Sequence, residues 1–185
     1  SGQAEQILVL PTFEPYYINA KALGARTVAV PSGPDFAFPL EKVLASITPN
    51  TRLVVIMSPH NPSGRSVSEA DVRAVATAAA HAVVFVDEAY HDFHGVNLLH
   101  LVREFPNVMI GRTFSKAYGL AGIRAGAVIA QPALLAPVRY VMPLFNLNVV
   151  AVTALRAAIA DAAYKTWYVE QARESKSMLY AALDR

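Results

Sequence analysis

The chain has 185 residues, 54% of them hydrophobic and 16% charged, with a net charge of +2 and no cysteine. That length supports one domain with a sizeable core, and the lack of cysteine excludes disulfides, thiol catalysis and thiolate-bound metal. Charges of both signs are scattered, so no basic stripe for nucleic acid exists, and no apolar run reaches the about 18 residues of a membrane span. The apolar excess predicts large buried faces or a subunit interface. The first residues lack a basic segment followed by an apolar core, which leads us to expect a cytoplasmic protein.

In chain order, ILVL (7–10) reads as a strand and EPYYINAKALGA (14–25) as a helix closed by glycine. RTVAV (26–30) is a second strand, and PLEKVLASI (39–47) a helix with proline in its first turn. LVVIM (53–57) precedes SEADVRAVATAAAH (68–81), whose Ser68 and acidic first turn mark a helix start. AVVFV (82–86), NVMIG (107–111) and GAVIA (126–130) complete six runs, several of which do not alternate apolar with polar, the pattern of strands buried on both faces. After residue 131 the pattern turns helical, ending in a long amphipathic stretch. Strands alternating with helices predict an α/β fold, a mostly parallel sheet flanked by helices.

In such sheets ligands collect beyond the carboxyl ends of the strands. Three polar groups fall there: SPHNPSG (58–64), DEAY (87–90) and RTFSK (112–116). Asp87 can cap a helix, or face a cationic ligand nitrogen, since a carboxylate after four apolar residues needs a partner. Tyr90 can offer its phenol to the same ligand or simply pack. Asn61 can shape a turn or donate to an anionic oxygen. Phe13 can fill the core or stack on a planar ring. Lys116 lies among small residues, with Thr113, Ser115 and three glycines around it. A neutral lysine there can attack an aldehyde to give an imine. Lys21, Lys42, Lys165 and Lys176 sit in helix-like segments instead. Arg124 can clamp a phosphate bidentately. His91, His94 and His100 are too loosely spaced, and lack an acidic set, to read as a metal site.

Taken together, PTFEPY, SPHNPSG, VDEAYHDF and GRTFSKAYGLAGIRAG resemble the fold type I pyridoxal-phosphate aminotransferases of class I/II, especially the histidinol-phosphate branch. They occur in family order over most of residues 5–160. The resemblance implies the large domain of that fold, three layers α/β/α, over residues 1–160. Residues 161–185 are then a long helix leading towards a small domain, which is expected to be absent along with the upstream phosphate loop. It implies pyridoxal 5'-phosphate as cofactor. Lys116 matches the lysine that bonds the cofactor aldehyde. Asp87 matches the partner of the pyridine nitrogen, and Tyr90 and Asn61 those of the phenolic oxygen. Ser115 and Arg124 match phosphate ligands, with Thr113 a weaker candidate, and Phe13 the ring stacked on the cofactor. Pro11 and Pro62 match positions often cis in this fold. The implied activity is transfer of an amino group between a histidinol-phosphate-like amino compound and a 2-oxo acid, in a homodimer. A lyase or decarboxylase of the same fold, or a non-catalytic domain, are the alternatives. His60 stands where many members of the histidinol-phosphate branch have asparagine.

Overall fold

All six β-branched runs become strands: β1 (Glu5–Leu10), β2 (Arg26–Pro31), β3 (Thr51–Met57), β4 (Val83–Asp87), β5 (Val108–Thr113) and β6 (Gly126–Ala130). The structure, a computed structural model, describes residues 3–184. The strands form one sheet in the order β2-β1-β3-β4-β5-β6. All neighbours are parallel except β5 and β6, whose antiparallel pairing closes one edge.

Side chains alternate across the pleat, so each strand feeds two faces. Ile7, Val54, Ile56, Val84, Val86 and Ile110 point to one face. There they meet Val43 of α2 (Leu40–Ala45), Val72 and Val75 of α3 (Glu69–Ala78) and Leu101 of α5 (Leu101–Glu104). Full burial of each such side chain stabilises the fold by roughly 1.5–3 kcal/mol. Leu8, Val55 and Met57 point to the other face, against Tyr16 of α1 (Pro15–Ala22) and Phe85. Helices on both faces give the three layers.

Local chemistry sets the helix ends. The Ser68 hydroxyl accepts the Asp71 amide at 3.1 Å, the cap expected from sequence. Gly24, at φ +72°, lies just beyond α1 and supplies the left-handed turn expected there. Asn107 donates to the carbonyls of Ala76 and Ala79, both at 3.0 Å, which ties the end of α3 to the start of β5. Pro39 falls at the N-cap of α2, one place before the helix proper.

After β6 come α6 (Pro132–Val141), α7 (Val149–Ala160) and α8 (Ala162–Leu183). Two polar contacts hold α8 to α4 (His91–His94): Lys165 to Asp92 at 3.0 Å and Arg173 to the Phe93 carbonyl at 3.1 Å. In α8 only Val169 is buried, so its apolar side largely faces outward. Tyr140, at the end of α6, and Leu144 and Phe145, between α6 and α7, are 90% or more exposed. Much of the apolar excess is therefore on this surface and not in the core. Among the described residues no helix is long and apolar enough to cross a membrane.

Candidate active site

Register builds the site. Met57 pairs with Asp87, and Asp87 with Gly111, so β3, β4 and β5 end level with one another. The Ser58 amide donates to the Asp87 carbonyl and the Glu88 amide to that of Gly111, both at 2.9 Å, extending the ladder one step past the strands. The three polar segments thus leave the sheet side by side. They enclose a cleft of about 520 Å³ lined by Phe13, Asn61, Asp87, Tyr90, Thr113, Ser115, Lys116 and Arg124. All eight candidate site residues from the sequence open on this one cleft. Its floor is Met57, Phe85 and Gly111.

Asp87 does not cap α4, whose N-cap is Tyr90. One carboxylate oxygen accepts the Ala89 amide at 2.9 Å, and the other accepts the Tyr16 phenol at 2.5 Å. Tyr16 ends the PTFEPY stretch, but nothing in the sequence pairs it with Asp87, 71 positions away. Burial, and then the negative charge of Asp87, push its phenol well above the ordinary value, so it remains a donor.

Lys116 lies in the loop joining β5 to β6. Backbone bonds from Phe114 to Ala125, Gly119 to Lys116 and Leu120 to Phe114 fold this loop on itself. Gly119 takes φ +66°, a value that suits glycine. The Lys116 ammonium sits 5.3 Å from the centre of the Tyr90 ring, a cation–π distance. Lys165 lies outside the cleft, where its hydrogen bond to Asp92 raises its pKa. The Thr113 hydroxyl accepts the Ser115 amide at 3.1 Å, so Thr113 shapes the loop. Arg124 takes φ +53° and donates to the Ala121 carbonyl at 2.9 Å while lining the cleft. Gly126 faces the Arg112 carbonyl so closely that a β-carbon would sit 2.8 Å from it. That close approach holds the loop carrying Lys116 tight against β5.

Behind the cleft, Glu88 is 1% exposed. One oxygen accepts from Arg112 at 3.0 and 2.7 Å, and the other accepts the Leu98 amide at 2.7 Å. Sequence reading missed this pair as well. A buried acid one residue after Asp87 and a basic residue after Gly111 were the available signals.

His60 precedes Asn61 and is buried, its Nδ1 2.8 Å from the Ser63 hydroxyl. Burial lowers its pKa, partly offset by the Pro11 carbonyl. The native state therefore favours the neutral ring, whereas the unfolded chain takes up a proton below about pH 6.5. In that window the unfolded state binds more protons, so stability falls as pH falls. Thermal melts followed by circular dichroism are expected to show a smaller loss on acidification from about pH 7 to about pH 5 in His60→Gln than in wild type. The bonds Leu10–Pro11, Ser58–Pro59 and Asn61–Pro62 are cis.

The sequence profile described as aminotransferase class I and II matches residues 3–185. The chain belongs to this family. It is 40% identical over 179 residues to a histidinol-phosphate aminotransferase of Methanococcoides burtonii, covering 97% of this chain and 49% of that protein. It is 39% identical to an aromatic amino acid aminotransferase of Rhodococcus erythropolis, covering 85% of this chain and 45% of that one. This class I/II chain therefore spans about half the length of the curated relatives it matches. Its fold superposes with a TM-score of 0.86 on the histidinol-phosphate aminotransferase of Sinorhizobium meliloti solved with pyridoxal 5'-phosphate, at 28% identity, over 97% of this chain and 50% of that one.

The donor set of the cleft fits the cofactor of this family. It offers an amine for an aldehyde, a carboxylate for a ring nitrogen, a phenol and an amide for a phenolic oxygen, and an arginine with a hydroxyl for a phosphate.

Proposed function

We propose that this chain is the cofactor-binding large domain of a pyridoxal-phosphate aminotransferase whose amino donor is a histidinol-phosphate-like compound and whose acceptor is a 2-oxo acid. The observation that carries the proposal is the convergence of Lys116, Asp87, Tyr90, Asn61, Ser115 and Arg124 on one cleft at the strand ends. The residues 1–160 form the binding unit in this reading, and α8 leads away from it. The reading includes a cytoplasmic homodimer, for which the exposed surface around Tyr140, Leu144 and Phe145 is an available face.

When bound, pyridoxal phosphate supplies an electron-withdrawing ring that stabilises charge on the substrate carbon bearing the amine. Lys116 would hold its aldehyde carbon. The Lys116 amine, once released by substrate, is the base placed to take the proton from that substrate carbon and return it. Asp87 would keep the proton on the ring nitrogen by a charge-assisted hydrogen bond. Tyr90 and Asn61 would hold the phenolic oxygen, and Ser115 and Arg124 the phosphate. Thr113 shapes the loop that carries Lys116, and Phe13 would cover one face of the ring.

A single-turnover experiment tests this. The protein is loaded with pyridoxal phosphate and given histidinol phosphate or an aromatic amino acid. Stoichiometric loss of the visible cofactor band, reversed by a 2-oxo acid, is the expected result. With the aromatic amino acid, release of carbon dioxide without aminated cofactor would replace transamination with decarboxylation.

A further inference from the structure

Tyr16 is fixed from several sides. Gln6 donates to its carbonyl at 3.1 Å. Its ring packs against Leu8, Val55 and Met57, with Phe13 edge-on at 6.0 Å and Phe85 at 6.2 Å. From this pocket its hydroxyl reaches the Asp87 carboxylate at 2.5 Å. Phenylalanine would pack as well; the hydroxyl matters only for what it touches.

We infer that Tyr16 is a positioning residue, which fixes the Asp87 carboxylate so that its free lone pairs face the ring nitrogen of the cofactor. The inference rests on the cofactor site proposed above. Each carboxylate oxygen can accept about two hydrogen bonds. The Ala89 amide and the Tyr16 phenol occupy one position on each oxygen. These two donors define the plane of the carboxylate and leave one acceptor position per oxygen. Without the Tyr16 donor, the Asp87 side chain keeps only the local Ala89 contact and is free to rotate about its side-chain bonds. Tyr16 touches no reacting atom in this scheme and acts through Asp87 alone. Its conformation is set by the core, so the orientation of the carboxylate is built into the fold before any ligand arrives.

Two ligands separate this role from general packing: pyridoxal phosphate, and its analogue in which the ring nitrogen is replaced by C–H. Binding of each is titrated by fluorescence to wild type and to Tyr16→Phe, after circular dichroism and melting show that the variant is folded. Loss of a hydrogen bond to a charged group predicts about tenfold weaker pyridoxal phosphate binding and unchanged binding of the analogue. A double-variant cycle supplies the second reading: with Asp87→Ala already present, Tyr16→Phe is expected to add no further loss. Equal weakening of both ligands, or no weakening of either, would overturn the inference. A further loss on the Asp87→Ala background would also overturn it. Wild-type protein that binds neither ligand would overturn the cofactor reading, and this inference with it.

Discussion

Asp87→Asn is expected to slow the amino-transfer half-reaction by about a hundredfold or more, with a smaller loss of cofactor affinity. The substitution preserves the shape of the residue at the end of β4. It also keeps an oxygen for the Ala89 amide or the Tyr16 phenol. What it removes is the negative charge. A neutral amide cannot hold a proton on a pyridine nitrogen, and the ring then withdraws electrons less strongly. A hundredfold change corresponds to about 2.7 kcal/mol of transition-state stabilisation, within the range of hydrogen bonds to charged groups. Stopped-flow measurement of the half-reaction, alongside a binding titration, separates the two effects. Asp87→Ala is expected to be worse in both, because it also leaves the half-buried Tyr16 phenol without its acceptor.

Arg112→Leu is expected to destabilise the fold by about 3 kcal/mol, because it strips the partner from a buried carboxylate. Glu88 is 1% exposed, and its two oxygens are held by Arg112 and the Leu98 amide. For a chain of this length, that corresponds to a fall in Tm of roughly 6–12 °C. Glu88→Gln is expected to cost less, since a neutral amide is cheaper to bury. The double variant Glu88→Leu, Arg112→Leu is expected to recover only part of the loss. It removes the uncompensated charge but leaves the Leu98 amide without an acceptor. Thermal melts of wild type, Arg112→Leu, Glu88→Leu and the double variant form the cycle that checks this, with Glu88→Gln measured beside them.

The fold was legible wherever a local pattern carried it. Six apolar runs of five or so residues became six strands; the inner ones are the most buried, whereas the edge strands β2 and β6 keep exposed positions. Ser68 became a cap because a hydroxyl before an acidic first turn has a local partner. The cleft was legible because strand ends in a parallel sheet converge, and because each end carried a different chemical group. Less legible were the interactions that span the chain. Tyr16 meets Asp87 across 71 positions, and Arg112 meets Glu88 across 24. No periodicity marks such pairs; sheet order and register decide them. The four-residue helices α4 and α5 were also invisible, because they depend on tertiary contacts to offset a costly nucleus. Thr113 illustrates a middle case. Its place beside Lys116 was readable, but its bond to the Ser115 amide required the loop geometry.

The central claim is that Lys116 is the amine that receives the cofactor. The direct test is to mix the protein with pyridoxal phosphate, record the visible spectrum, reduce with borohydride and map the labelled peptide. The account predicts a lysine-linked band and a single label on Lys116, both lost in Lys116→Ala. Labels spread over Lys21, Lys42, Lys165 and Lys176, or a band that survives in Lys116→Ala, would contradict it.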